Sequence, residues 1–306
     1  MQFRFEEPIL PVRSDMAVET QTSATDPSTL KLSSVLVATD FSPPSQRAVL
    51  CATAVARRHG ATIFLFHVVA SQSERAVMEG WRQGQAEVMS HFLANRLDGV
   101  QYELIVRSGA ICAALAQVLT EKKIDLVVLG TRGRTGMRKL ILGSVAEKIF
   151  RQARCPVITV GPNVSDAAAQ AEPEHILAAT GFAPHSLQAV EYASKFAEYL
   201  HSSLALVNVV TDPAKAAGGE QERTRSERLR RLKALVGPET GLVPERFVEF
   251  GLAPQGVLRT AAHWKANLIV LGLHDVDECK RRETTWTKAY EIICNASCPV
   301  MTVHGG

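Results

Sequence analysis

Residues 35 to 69 (VLVATDFSPPSQRAVLCATAVARRHGATIFLFHVV) align without a gap on residues 176 to 210 (ILAATGFAPHSLQAVEYASKFAEYLHSSLALVNVV), with 13 identities in 35 positions. The ends of the two halves match as well, ARCPVITV at 153 to 160 facing ASCPVMTV at 296 to 303. A period of about 140 residues is too long for a solenoid, and two copies are too few for one. Each copy must therefore be a domain with a core of its own, and 306 residues suffice for two. The chain divides into a mobile extension at 1–30, a first domain at 31–162, a linker at 163–173 and a second domain at 174–306. The extension is assigned on composition: from Arg13 to Thr29 it is mainly Ser, Thr, Asp and Gln, too polar to offset the entropy of ordering.

Within the first repeat, Val35 to Thr39, Thr62 to Val69, Tyr102 to Val106, Leu126 to Leu129 and Val157 to Val160 are short, β-branched runs that predict strands. Between them, Ser45 to His59, Ser73 to Leu97, Ile111 to Lys122 and Ser144 to Gln152 carry apolar residues at three- and four-residue spacing, which predicts helices. The second repeat follows the same order, with strands near 176–180, 203–210, 246–250, 268–271 and 299–303. Strands that are apolar at nearly every position are buried on both faces. The expected fold is α/β, two doubly wound, five-stranded parallel-sheet domains in tandem.

Charge and cysteine content narrow the partners. A formal charge of +3 at pH 7, with no long Lys/Arg block, predicts neither nucleic acid nor a membrane surface as partner. Six cysteines without Cys-x2-Cys spacing predict neither a disulfide framework nor a zinc ribbon, and suit a reducing cytoplasm. Arg4, Glu6, Glu7, Pro8 and Pro11 interrupt any signal-peptide core, and no run reaches the roughly 20 apolar residues of a membrane span.

In a doubly wound sheet, ligands bind beyond the carboxyl ends of the strands, where the winding reverses. After the fourth strand the sequence reads GTRGRTGMRKLILGSVAEKIF, giving Gly130-x2-Gly133-x9-Gly143-Ser144 ahead of a helix. Glycines let backbone amides approach a phosphate, and a helix N-terminus adds unpaired N–H groups and a favourable dipole. Ser144 with Glu147 is also a capping box, so its hydroxyl competes between the two tasks. Neither a P-loop nor a dinucleotide fingerprint occurs.

Together, VLVATDFS, HVV at the end of the second strand, and the glycine loop before CPVITV resemble the universal stress protein family, twice over nearly all of residues 31–306. The resemblance implies a Rossmann-like, adenine nucleotide alpha hydrolase-like fold with strand order 3-2-1-4-5 in each domain. It implies ATP as the cofactor of the first domain, with or without magnesium. Asp40 would meet the nucleoside, the Val68 backbone would read the adenine edge, and Leu129 would line the base pocket. Gly130, Gly133, Gly143, Ser144 and Val145 would cradle ribose and phosphates. Arg132, Arg134, Arg138 and Lys139 lie in the same loop and can neutralise phosphate charge or simply face solvent. Asp40 can also cap the turn that follows it. The family's pairing through the fifth strand, internal here, would set Cys155-Pro156-Val157 against Cys298-Pro299-Val300, leaving room for a further homodimer.

The second repeat departs from this pattern. Gly181 replaces Asp40, and aligning Cys298 with Cys155 puts Trp286 and Thr287 where Gly143 and Ser144 stand. This half is expected not to bind ATP in the manner of the first. His274, Asp275, Asp277, Glu278 and Cys279 form a ligand-rich run whose spacing favours a solvated loop over a metal site. Cys294 and Cys298 suit a buried core better than redox chemistry. His67 is assigned no chemistry, and Gly219 to Val236 reads as a solvated helix with one apolar face. No nucleophile–base set, carboxylate pair or lysine clamp points to an enzyme. The functional expectation is an adenine-nucleotide-responsive binding module with an unidentified protein partner; the alternatives are a weak, metal-dependent ATPase and a structural module without nucleotide.

Overall fold

The computed structural model describes residues 30–41, 43–69, 96–97, 99–131, 146, 149, 153–216, 218–273 and 283–304. The first domain contains β1 (Ser34–Ala38), α1 (Pro43–His59), β2 (Thr62–Val69), β3 (Tyr102–Ser108), α2 (Ile111–Glu121), β4 (Leu126–Gly130) and β5 (Val157–Val160). A short helix, α3 (Asp166–Gln170), follows, capped by the Ser165 hydroxyl accepting from Ala168 N at 3.1 Å. The second domain contains β6 (His175–Ala179), α4 (Pro184–Leu200), β7 (Ser203–Val210), α5 (Gly218–Lys233), β8 (Glu245–Phe250), α6 (Ala253–Trp264), β9 (Leu268–Leu273), α7 (Glu283–Asn295) and β10 (Val300–His304). The predicted helix at 73–97 lies almost wholly outside the described residues, and so does most of that at 144–152. Among the described residues no helix is long and apolar enough to cross a membrane.

Among the described residues, ten strands form one sheet, in the order β3-β2-β1-β4-β5-β10-β9-β6-β7-β8. Within each domain every pairing is parallel and the order is 3-2-1-4-5. The domains join through β5 and β10, which run antiparallel with Ile158 opposite Met301. Val157 faces Thr302 and Thr159 faces Val300, so the junction is symmetric about its central pair.

Alternation along the strands sends side chains to two apolar layers. Val35 and Val37 join the layer under α1, α4 and α5, whereas Leu36 joins the layer under α2, α6 and α7. Both layers run through the junction. Asp125 accepts from Ser33 N and Ser34 N at 2.8 and 3.0 Å, fixing the start of β1. Asn267 does the equivalent at β6, accepting from His175 N at 2.9 Å.

Contacts beyond the sheet hold the two halves together. His59 stacks on Tyr199 with centroids 4.1 Å apart, and Arg58 pairs with Glu172 at 3.1 Å. The turn after β5 sits against the end of α7: Asn163 Nδ2 donates to Cys294 O at 3.1 Å. At Gly161 a Cβ would meet the carbonyl oxygen of Ile293 at 2.2 Å, so only glycine permits the approach. Arg47 of α1 donates to Val164 O at 3.1 Å and pairs with Asp166 at 3.4 Å, fastening α3 to the first domain.

Cys51, Cys294 and Cys298 are buried, in keeping with a core role. Burial, aided by the neighbouring Cys298, pushes the Cys51 thiol up to about 12. Burial likewise drives Cys155 and Cys298 to about 12 and raises Tyr192. A thiol held neutral in this way is a poor nucleophile and a poor metal ligand.

Candidate functional site

The site grows out of the end of β1. Its last residue, Ala38, is in register with Phe66 of β2 and Leu129 of β4. Thr39 continues the line by donating its N–H to Phe66 O at 2.9 Å. The chain then turns sharply: Phe41 has a φ of 61°, a left-handed conformation that a bulky side chain disfavours.

Hydrogen bonds among the described residues hold this turn. Phe41 N donates to the Thr39 hydroxyl at 3.0 Å, a side-chain turn around Asp40. The Thr39 and Ser45 hydroxyls lie 3.0 Å apart, tying the turn to the first helical turn of α1. His67 Nδ1 lies 2.8 Å from Thr39 O. A carbonyl can only accept, so this nitrogen carries the proton. The Phe41 and His67 rings also touch, with centroids 5.0 Å apart. His67 thus has a definite task, bracing the turn that carries Asp40.

Asp40 lies two residues beyond Ala38 and Val68 two beyond Phe66, while Gly130 follows Leu129. Asp40 and Val68 therefore stand level at adjacent strand ends, and Gly130, on the third, lies one residue short of them, level with Thr39 and His67. Between β1 and β4 the winding direction reverses, because β2 and β3 lie to one side and β4 and β5 to the other. Asp40, Val68 and Gly130 are half-buried, whereas Leu129 is 2 % exposed and belongs to the apolar layer on the α2 side. Gly133, Gly143, Ser144 and Val145, with Arg132, Arg134, Arg138 and Lys139, lie outside the described residues.

The second domain repeats the brace and alters what it carries. Phe182 has a φ of 63°, its N–H donates to the Thr180 hydroxyl at 3.0 Å, and the Thr180 and Ser186 hydroxyls lie 3.1 Å apart. Asn208 takes the place of His67, donating from Nδ2 to Thr180 O at 2.7 Å. Gly181 stands in place of Asp40 and leaves no carboxylate. Gly272, level with Gly130, is pressed by the start of α4: a Cβ there would lie 2.2 Å from His185 O. This glycine serves close packing.

At the position aligned with Gly143, Trp286 already lies in the first turn of α7, with Thr287 following it. A helical N–H at the fifth residue is turned back onto the preceding turn and is not offered to a ligand. The segment from His274 to Cys279 lies outside the described residues.

Sequence reasoning singled out Asp40 and Gly130 as candidates but passed over Thr39 and Ser45, which hold the turn. The signal was present: Thr39, Phe41 and Ser45 are identical to Thr180, Phe182 and Ser186 in the other repeat. Identity that survives the loss of Asp40 marks residues that hold the turn, independent of what the turn presents.

Comparison with known proteins agrees with this architecture. The profile of the universal stress protein family matches residues 32–161 and again residues 173–304. A universal stress protein of Methanocaldococcus jannaschii is 28 % identical over 136 residues, covering 41 % of this chain and 80 % of its own. One from Bacillus subtilis is 30 % identical over 146 residues, covering 41 % and 97 %. Each of these relatives corresponds to a single repeat. The crystal structure of a universal stress protein from Archaeoglobus fulgidus superposes on both repeats, with a TM-score of 0.69, 18 % identity, and coverage of 89 % of this chain and 98 % of that one. With the family profile matched twice and both repeats built on one sheet plan, this chain belongs to the universal stress protein family, as a tandem of two such domains.

Proposed function

We propose that the first domain binds ATP between the ends of β1, β2 and β4, and that the protein is a nucleotide-responsive module of stress or signalling. One observation carries the reading: Asp40, Val68 and Gly130 lie within one residue of the same level on three adjacent strand ends, where the sheet's winding reverses. There a carboxylate suits ribose hydroxyls, a strand-end backbone suits the edge of a base, and a glycine opening into a Gly-rich loop suits phosphates. Magnesium would accompany the phosphates, with no dedicated protein cage required. The second domain, with Gly181 for Asp40 and a helix where the Gly-Ser element would lie, acts as a structural partner that does not bind ATP in this manner. The free thiols Cys51, Cys112, Cys155, Cys294 and Cys298 suit a cytoplasmic setting.

The test is to purify the chain without added nucleotide, denature it, and identify released small molecules by mass spectrometry, beside a Gly133→Asp variant. ATP or ADP released from the native protein and absent from the variant supports the reading. If nothing is released, and added ATP with magnesium leaves the melting temperature unchanged, the reading fails and a nucleotide-free structural module takes its place.

A further inference from the structure

On the second domain, α5 brings Arg228 and Arg231 to the ring of Phe182, with guanidinium carbons 5.5 and 3.9 Å from its centroid. Phe182 directly follows Gly181, the residue that replaces the carboxylate of the first domain. Two like charges one turn apart on a helix repel, and such a pair is ordinarily relieved by a carboxylate. Arg225 on the same helix follows that rule, pairing with Glu222 at 4.0 Å and donating to Val248 O at 2.9 Å. Arg228 and Arg231 do not: among the described residues neither has an ion-pair partner, although Glu227 stands one turn before Arg231.

Two further polar atoms nearby are left over. Arg228 Nε is buried and donates to nothing. Asn208 is 3 % exposed; its Nδ2 serves Thr180 O, and its Oδ1 is buried without a partner. The cation–π contact with Phe182 uses the ring face and fills none of the guanidinium N–H donors. Among the described residues, Gly181 beside them is exposed and a Cβ there would meet nothing within 4 Å. Among the described residues, this strand end of the second domain carries two arginines and, with Gly181 in place of Asp40, lacks the carboxylate found in the first domain.

We propose that Arg228 and Arg231, held on Phe182, form an anion site in the second domain that takes a phosphate-bearing small molecule. Planar guanidinium forks match phosphate oxygens, and two unpaired positive charges match the near-double negative charge of a phosphate group at pH 7. The site is independent of ATP binding by the first domain.

The test uses the full chain carrying Gly133→Asp, which disables the glycine loop of the first domain. It is titrated calorimetrically at low ionic strength with inorganic pyrophosphate and, separately, with ATP. Saturable binding with one site per chain is expected, weakened about tenfold or more by Arg231→Gln and changed by less than about twofold by Arg230→Gln, an exposed arginine of the same helix. Arg231→Lys keeps the charge, loses the fork, and should fall between. Equal affinity for the two probes identifies a bare phosphate site, and tighter ATP binding shows that the nucleoside contributes. No saturable binding of either probe, or equal weakening by Arg230→Gln and Arg231→Gln, overturns the proposal. Arg231 is exposed, so its variants decide the matter even if Arg228→Gln fails to fold.

Discussion

Replacing His67 separates a brace from a bystander, because the second domain supplies its own control. In His67→Leu the ring is lost and Thr39 O, on a residue 6 % exposed, has no donor from β2. Stranding a buried acceptor costs about 1–3 kcal/mol. The turn it releases includes Phe41 at a φ of 61°, a conformation that already costs roughly 1–2 kcal/mol and has to be held by its surroundings. If ATP binds only to the braced turn, 1–3 kcal/mol corresponds to an affinity loss of about five- to 150-fold. In the same variant the melting temperature should fall by roughly 4 °C per kcal/mol. In His67→Asn the bond survives, since Asn208 makes it at 2.7 Å in the equivalent place. The ring contact with Phe41 is given up, about 0.5–1.5 kcal/mol. Calorimetric titration of ATP and thermal unfolding of the three proteins decide the question. A Leu variant that melts and binds like the native chain, or Asn and Leu variants that lose equally, would refute the brace.

Two other changes test the packing. Gly161→Ala would put a methyl 2.2 Å from Ile293 O and force the turn after β5 away from α7. Overpacking of this kind costs about 1–3 kcal/mol, so the urea midpoint of the intact chain should drop, whereas Gly181→Ala, in open space, should leave it nearly unchanged. The buried thiols make stability pH-dependent on the alkaline side. Cys51, Cys155 and Cys298 sit near 12 in the folded chain against 9.0 unfolded, so their contribution is complete below pH 9 and is lost as pH climbs toward 12. Urea midpoints at pH 7.5 and 10 should differ, and replacing the three cysteines by alanine should shrink that difference; an unchanged slope would mean that other groups cause it.

Much of the fold was legible because burial on both faces leaves a plain signature. The runs read as strands at 62–69 and 203–210 are β2 and β7 to the residue. Likewise α5 shows Leu232 fully buried, with Leu229 and Leu235 packed beside it, as its apolar spacing implied. What escaped notice was tertiary. Nothing local marks Gly161 as the neighbour of Ile293, or Asn163 as a partner of Cys294, 131 residues away. The arginines of α5 read as solvated because periodicity shows which residues share a face, not which loop that face meets. Two of them meet Phe182, whose left-handed turn comes from hydrogen bonds that composition does not reveal.

The antiparallel seam between β5 and β10 has a consequence for how such a protein can change in the course of descent and respond to dilution. Strand edges that would otherwise seek one another between molecules are tethered on a single chain, so their encounter is set by chain connectivity and is indifferent to cellular abundance. A pair that cannot dissociate also cannot exchange one member for a foreign one. Freed from having to find its mate, one half can shed a ligand and acquire another without risking the assembly, which is the condition under which a duplicated domain diverges.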